Sequence, residues 1–149
     1  TVSIASFYMD ETEMTNNDYR EFIFDMRKKV SADSIKKLEP SENVWSGAMS
    51  FNDLYQSYYF RFPGFNFYPV AGVTWKQAAA YAKWRTEFVQ ELIRKERELD
   101  STMTKNQLIE RGVVMADFRL PNEAEWEYAA KAMIGTQYLD ENQEYGRIY

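Results

Sequence analysis

Apolar residues recur at three- and four-residue steps in two stretches of the chain, and each stretch predicts an amphipathic helix. Thr15 begins the first as an N-cap, and Asp18 follows three residues later as the partner that a capping box requires. The apolar face extends to about Val30. Its members are Tyr19, Phe22, Ile23, Met26 and Val30. The pattern therefore predicts a helix from residue 16 to about residue 30.

A longer helix is predicted after Thr74, which forms a Thr-x-x-Gln capping box with Gln77. The side chains expected on its buried stripe are Ala78, Tyr81, Phe88 and Leu92, flanked by Trp75 and Trp84. The helix continues into the mixed charges of residues 94–98, which are typical of an exposed last turn. Trp75, Trp84 and Trp126 are all expected in the core.

Shorter elements surround these two helices. Residues 2–8 alternate apolar and small side chains, which predicts a strand. Residues 31–43 are polar, contain Pro40 and are predicted to form a loop. Thr104 and Gln107 begin a short helix that Gly112 is placed to end. Residues 113–118 are predicted to form a second strand.

The most tightly specified helix start lies at Asn122. Pro121 holds Leu120 in an extended conformation, and Asn122 can then cap the helix with Glu125 three residues later. Glutamates at positions 123, 125 and 127 lie where the helix dipole favours negative charge. The helix is predicted to end near residue 135. Residues 141–149 are polar and are predicted to form either a loop or a segment that the rest of a domain would complete.

Residues 45–67 are rich in aromatic side chains but show little periodicity, so we expect irregular backbone with a helical turn near Asp53. Eight aromatic residues lie between positions 51 and 67, more than one thin layer easily hides. Core packing is the default interpretation, and partner binding is the alternative because Tyr and Phe are typical of interface cores. The candidate interface residues are Tyr55, Tyr58, Tyr59, Phe60 and Phe62.

Composition restricts the chemistry that the chain can perform. Its 149 residues are enough for one domain, and the net charge of −5 argues against nucleic acid as a partner. The sequence contains neither Cys nor His, which removes thiolate chemistry, zinc–thiolate sites and the usual general base. It also contains no glycine-rich phosphate loop.

Two groups of carboxylates could be taken for metal or acid–base sites. Asp10, Glu11 and Glu13 precede the helix capped by Thr15, where the helix dipole attracts negative charge. Glu123 and Glu127 share a helix face, but a shared face does not supply the cleft that paired-carboxylate chemistry requires. Capping and dipole effects explain both groups, so we predict no catalytic, cofactor-binding or metal-binding residues.

Three motifs, in order along the chain, resemble the formylglycine-generating-enzyme (sulfatase-modifying factor) domain family. They are FYMDETEMTN at residues 7–16, YPVAGVTW at residues 68–75 with Ala78, Tyr81 and Trp84 after it, and RLPNEAEWEYAA at residues 119–130. The resemblance implies an α+β fold related to C-type lectins, irregular, with several helices and small β-sheets. It also implies that residues 1–149 are the N-terminal portion of one domain and do not fold independently.

The resemblance also separates this chain from the enzymes of the family. Those that oxidise a sulfatase cysteine use a Cys pair and metal ions near the end of the domain, and sulfoxide-forming relatives use iron held by His. Ala82 stands where many relatives have Cys, and Asn122 replaces a common Thr or Ser. No catalytic or metal-binding position carries over, so we expect no cofactor in this segment. Family-type metal sites, if any, are expected beyond Tyr149.

A narrower resemblance is to the gliding-motility lipoproteins of the type IX secretion apparatus in Bacteroidetes (the GldJ/GldK type). It is carried by the Trp84-Arg85-Thr86 triplet, by YFRFP at residues 59–63 leading to Tyr68-Pro69, and by a charged helical insertion at about residues 85–118. It implies a non-enzymatic structural component of a large envelope complex. Its partners would be proteins, including the rest of its own domain, and an N-terminal lipid outside this segment would attach it to the outer membrane. The alternatives are a formylglycine-type oxidase whose catalytic half is missing and a lectin-like binding module.

Overall fold

The computed structural model describes residues 3–46, 52–100 and 102–131, and this part of the chain is mainly helical. The α-helices are α1 (Asn16–Met26), α2 (Ala32–Lys36), α3 (Asp53–Tyr58), α4 (Trp75–Glu96), α5 (Lys105–Glu110) and α6 (Glu123–Lys131). Two 3-10 helices span Glu42–Trp45 and Pro63–Phe65. Two compact units are formed, one of residues 12–120 and the other including residues 3–11 and 121–131 among those described.

The main hydrophobic cluster of the larger unit lies between α1 and α4. Tyr19, Phe22 and Ile23 of α1 are buried, as the periodicity of the first helix predicted. They meet Tyr81 and Trp84 of α4, and the Tyr19 ring stacks on Tyr81 at 5.7 Å. Met26 and Val30 pack at the edge of this cluster, although α1 ends at Met26 and residues 27–30 form turns.

All four predicted helix starts have the expected caps. Thr15, Thr74 and Thr104 each accept a hydrogen bond from the backbone N–H three residues later, with a reciprocal bond from the cap backbone to Asp18, Gln77 or Gln107. The N–H of Glu125 donates to Asn122 Oδ1, and the N–H of Asn122 donates to Glu125 Oε2, both at 2.9 Å. Gly112 has φ +76°, the left-handed conformation that ends α5. The predicted end of the last helix near residue 135 lies outside the described residues, as do residues 141–149.

The buried face of α4 differs from the predicted stripe. Tyr81, Ala82 and Trp84 are buried, whereas Phe88 and Leu92 are more than two-fifths exposed. The cause is a difference in length, because α1 has 11 residues and α4 has 22, so α1 covers only part of α4. Phe88 instead stacks on Trp84 with 5.2 Å between ring centroids.

Two of the three tryptophans predicted in the core are exposed. Trp84 retains 7% of its accessible surface, whereas Trp75 retains 72% and Trp126 retains 55%. Trp75 is the first residue of α4 and precedes the turn that meets α1, and Trp126 lies in the smaller unit. Helical spacing identified the tryptophans as helical residues but could not decide which side of each helix is covered.

A second, smaller cluster lies toward the C-terminal end of α4. Leu108 of α5, Val113 and Met115 are buried there, with Ile93, Leu99 and Met103 packed against them. The predicted insertion at about residues 85–118 thus contains the second half of α4, α5 and a cluster of its own.

The segment predicted as a strand at residues 113–118 forms no ladder with another described strand. Its backbone instead bonds to side chains of α4. The Thr86 hydroxyl oxygen lies 2.8 Å from the Phe118 N–H and 3.2 Å from the Phe118 carbonyl, and Gln90 donates to the Ala116 carbonyl at 2.7 Å. These polar side chains provide partners for backbone groups of Ala116 and Phe118 in place of a neighbouring strand.

Residues 3–8 of the other predicted strand have no regular structure either. Of the predicted α+β fold, the described ranges contain the helices. In place of the small sheets, they contain one antiparallel bridge, between Thr15 and Pro69. The predicted loop at residues 31–43 contains α2, which buries Ile35 in the main cluster, and Leu38 in the following turn packs against the same cluster. Within the described residues, no helix is long and apolar enough to cross a membrane.

Candidate functional site

The aromatic segment, residues 53–68, has two short helical pieces joined by turns. Helix α3 confirms the helical turn expected near Asp53, and the 3-10 helix begins at Pro63, whose ring fixes φ for a first helical position. Neither piece has enough residues to be stable alone, because short isolated helices are marginal in water. Contacts among the rings and with α1 must therefore hold the segment.

The rings form one connected cluster around Tyr59 and Phe65. Their centroids lie 5.2 Å apart, and Trp45 approaches Tyr59 at 4.8 Å. Tyr55, Phe62 and Tyr68 each contact Phe65, at 5.7, 6.3 and 5.4 Å. Tilted and edge-to-face contacts of this kind contribute about 0.5–1.5 kcal/mol each beyond the area they bury.

The structure divides the five candidate interface residues into two groups. Tyr59 is buried, and its hydroxyl donates to the Pro69 carbonyl at 2.7 Å. Phe60 is partly buried and packs against the main cluster, with its ring 6.2 Å from Tyr19. Tyr59 and Phe60 therefore pack inward and support the fold.

The other three candidates are exposed, with 43% of Tyr55, 53% of Tyr58 and 55% of Phe62 accessible. Tyr68, which sequence reasoning did not include, is equally exposed and shares Phe65 with Tyr55 and Phe62. The signal in the sequence that could have identified Tyr68 is its position directly after the aromatic run at residues 45–67. We call Tyr55, Tyr58, Phe62 and Tyr68 the aromatic surface.

Backbone hydrogen bonds join the end of this segment to the first turn of α1. The N–H groups of Asn16 and Asn17 donate to the carbonyls of Tyr68 and Asn66, at 2.9 and 3.0 Å. The Val70 N–H donates to the Met14 carbonyl at 2.8 Å. The first N–H groups of a helix have no partner within it, so the chain uses them here to hold its own backbone.

Gly72, in the loop after the aromatic segment, lies against the backbone of Ser41. It has φ +80°, and the Ser41 N–H donates to its carbonyl at 2.8 Å. An added Cβ would collide with the backbone carbonyl oxygen of Ser41. The position therefore requires glycine for two reasons, its backbone conformation and the close approach of another backbone.

Electrostatics at the site follow burial. Removal of Tyr59 from water raises the pKa of its phenol, and the negative charge of Glu13 raises the same pKa further. Burial also raises the pKa of Tyr19, whose hydroxyl donates to the Leu38 carbonyl at 2.8 Å. Both phenols stay neutral at physiological pH and act as hydrogen-bond donors in the interior.

In the part of the chain that the structure describes, the acidic groups show no arrangement suited to metal chemistry. Within the described ranges, no group of three or more carboxylates could hold a metal ion, and the sequence has no Cys or His to add. Asp10, Glu11 and Glu13 are exposed, and Glu125 is used in the cap of α6. The described residues therefore form no site for the metal chemistry, and the sequence has no Cys for the cysteine chemistry, that the resemblance associates with the family's enzymes.

A groove of about 350 Å³ lies away from the aromatic surface. It is lined by Arg27, Val30, Ala32, Ile35, Lys36 and Glu39. Arg27 and Glu39 form an exposed ion pair with each other at 3.1 Å. A groove whose opposite charges are already paired, and whose floor is part of the main cluster, offers little to a small-molecule substrate.

Comparison with known protein families gives a match over nearly the whole chain. The model of the sulfatase-modifying factor enzyme 1-like domain aligns with residues 1–147. Comparisons with curated proteins and with solved structures gave no significant match. The family model covers nearly the whole chain, including all three motifs. The chain therefore belongs to the sulfatase-modifying factor family.

Proposed function

We propose that this chain is a non-catalytic structural component of a gliding-motility and type IX protein secretion machine in the bacterial envelope. The observation that carries the proposal is the aromatic surface, in which exposed Tyr and Phe rings surround a packed aromatic base. Rigid aromatic side chains of this kind dominate the energetics of protein interfaces. The particular machine is inferred from the resemblance of the Trp84-Arg85-Thr86 triplet and the insertion at about residues 85–118.

Three of the four exposed rings, Tyr55, Phe62 and Tyr68, are pre-organised by their contacts with Phe65. A partner that covers them would restrict few additional rotamers, because these rings already pack on one side. Side-chain ordering is one of the main costs of association, so a fixed surface favours binding. The partner in this proposal is a protein of an outer-membrane complex, to which a lipid on the complete protein would anchor the chain.

The insertion offers a second, weaker contact. Residues 95–98 carry exposed charges, and rim charges mainly adjust association rate and specificity. Arg94 already has an intramolecular partner, since it donates a hydrogen bond to the Met103 carbonyl at 3.1 Å. Charge changes at residues 95–98 should therefore weaken partner binding less than truncation of an exposed ring.

The direct test is recovery of partners from native membranes by the intact protein carrying Tyr58→Ala. Loss of a buried interface aromatic costs about 2 kcal/mol or more, so the variant should recover far less partner. Tyr128→Ala is the matched control, since Tyr128 of α6 is 52% exposed and lies outside the aromatic surface. Equal recovery by both variants, or a monomeric wild-type protein in native extracts, would contradict the proposal.

The proposal includes the absence of oxidase activity. The chain has neither of the side chains, Cys and His, on which the two catalytic branches depend. The intact protein should leave a sulfatase-type Cys peptide unchanged in the presence of copper and oxygen. Formation of a peptide aldehyde, detected by mass spectrometry, would favour a formylglycine-type oxidase instead.

A further inference from the structure

The carbonyl groups that follow α3 receive their hydrogen bonds from another helix. A helix leaves its last carbonyls without partners within it. After α3, the consecutive carbonyls of Tyr59, Phe60 and Arg61 all point to side chains of α1. These carbonyls lie directly between Tyr58 and Phe62, two members of the aromatic surface.

Two residues one turn apart on α1, Asn16 and Arg20, provide the donors. Asn16 Nδ2 donates to the Tyr59 carbonyl at 3.2 Å and to the Phe65 carbonyl at 2.9 Å. Arg20 Nη1 donates to the Phe60 carbonyl at 3.1 Å and lies 3.4 Å from the Arg61 carbonyl. Arg20 Nη2 donates to Asn66 Oδ1. The pair therefore contacts both the turn after α3 and the C-terminal end of the 3-10 helix.

The chemistry of both side chains suits this task. The planar guanidinium presents several donors in a fixed geometry, and its positive charge is favourable near the C-terminal end of a helix. Asn16 is completely buried, and its Oδ1 has no hydrogen-bond partner among the described residues. An unpaired buried oxygen is costly, so the two bonds made by Nδ2 must offset that cost.

Apolar contacts alone would hold the segment less firmly. Of the five candidate interface residues, Phe60 is the one that packs against the main cluster. The exposed rings mostly contact other rings of the same segment. Hydrogen bonds from α1 are therefore the principal connection between the aromatic surface and the rigid pair of long helices.

We propose that Asn16 and Arg20 form a polar clamp that positions the aromatic surface and keeps it ordered. The two residues are positioning residues, since neither belongs to the exposed rings. The proposal deepens the proposed function, on which it rests for its biological meaning. Its structural content can be tested without any partner.

The test is amide hydrogen exchange on the intact protein carrying Arg20→Met, which keeps an apolar stem and removes the donors. Exchange at residues 59–62 should accelerate by about tenfold or more, because bonds to a charged group are among the stronger ones. Amides of α4 should change by less than about twofold, since a local opening leaves the main cluster intact. Arg20→Lys keeps the charge but not the fork, so its effect should be intermediate.

Arg27→Met is the matched control, because Arg27 ends the same helix and its guanidinium pairs with Glu39 away from the clamp. Equal exchange at residues 59–62 in Arg20→Met and Arg27→Met would overturn the proposal. Asn66→Ala provides a second variant that leaves α1 unchanged, and it should accelerate exchange in the same residues to a smaller extent. If Arg20→Met unfolded the whole protein while Asn66→Ala changed nothing, the clamp would also be rejected.

Partner recovery separates this proposal from the proposed function. If Arg20→Met loosens residues 59–62 and also loses the partner, both are supported. If it loosens them and the partner is retained, the clamp stands and the aromatic surface is not the partner site.

Discussion

Trp84 is the residue at which packing and polarity of the main cluster meet. Its ring contacts Phe22 at 5.4 Å and Tyr81 at 5.6 Å, and its indole N–H donates to Asp25 Oδ2 at 2.8 Å. Lys29 also donates to that oxygen, at 2.7 Å. A buried indole N–H requires an acceptor, and a carboxylate at the cluster edge supplies one while keeping contact with water.

Replacement of Trp84 by Ala should lower the free energy of unfolding by about 3–5 kcal/mol, because it removes a large buried ring. Trp75→Ala, in the first turn of the same helix, should change it by less than about 1 kcal/mol because that ring is mostly exposed. Denaturant midpoints at unchanged m-value would measure both. Similar losses in the two variants would show that the burial assigned to α4 is wrong.

Asp25 should make stability depend on acid pH. The hydrogen bond from Lys29, followed by the one from Trp84, lowers the pKa of Asp25 in the folded protein. The pKa of Asp in an unfolded chain is about 3.9, so the ionised Asp25 contributes its full stabilisation of the folded state above that pH. As the pH falls below this value, the carboxylate is protonated first in the unfolded chain and then, at the lower pKa, in the folded protein. The stabilisation is lost over this pH range.

Asp25→Asn should therefore cost about 1 kcal/mol at neutral pH, and the difference from wild type should shrink below about pH 4. Urea unfolding followed by tryptophan fluorescence at several pH values would measure it. Glu21→Gln, an exposed carboxylate on the same helix, is the control and should show little change. A difference that is constant from neutral to acid pH would exclude the ionised hydrogen bond as its origin.

Among the elements, α4 has an N-terminal cap with a tertiary role. Gln77 Oε1 accepts from the Thr74 N–H at 2.6 Å, as a capping box requires. Its Nε2 also donates to the carbonyls of Lys37 and Glu39, at 3.1 and 2.8 Å. One amide therefore both starts the helix and ties it to the turn after α2.

Gln77→Glu separates the two roles, since a glutamate keeps the capping acceptor but cannot donate. It should destabilise the protein by about 1–3 kcal/mol, because a carboxylate would face two carbonyl oxygens. Gln107→Glu is the matched control, because α5 has the same Thr-x-x-Gln box and no further hydrogen bond from the Gln107 amide is found in the described structure. Thermal unfolding of both variants measures the difference, and equal shifts would contradict the tertiary role.

At the scale of the larger unit, α4 connects two separate hydrophobic clusters. Its first half packs on α1, and Ile93 near its end packs with Leu108, Val113 and Met115. Helix α5 and residues 113–118 have their own apolar core and bond to α4 through Thr86 and Gln90. Such a part of a structure can open without global unfolding.

Leu108→Ala should show this independence. Leu108 is fully buried, so its truncation should cost about 2–5 kcal/mol within the second cluster. Hydrogen exchange should accelerate in α5 and at Val113, whose N–H bonds to the Leu108 carbonyl, while α1 remains protected. Ile35→Ala is the complementary control, since it should affect α1 and spare α5. Uniform acceleration in both variants would mean that the unit unfolds as one.

The sequence by itself determined where α1, α4, α5 and α6 begin and which family the motifs resemble. A capping box lies within four residues, so Thr15, Thr74, Thr104 and Asn122 specify their helices without any distant contact. The family motifs are equally local, which is why they could be identified in the bare chain. The turn near Asp53 and the end of α5 at Gly112 follow from the same short-range rules.

Only the tertiary structure decided which helix faces are covered and which groups bond to the backbone of the extended segments. Phe88, Leu92, Trp75 and Trp126 follow helical spacing yet are largely exposed, because burial depends on the length and position of a neighbouring helix. Residues 113–118 have strand-like composition, but side chains of α4 bond to the backbone of Ala116 and Phe118 where a neighbouring strand was expected. Asn16 and Arg20 donate to carbonyl groups that lie 43 and 40 residues further along the chain. No local pattern encodes such a contact, because chain folding alone brings these donors and carbonyls together.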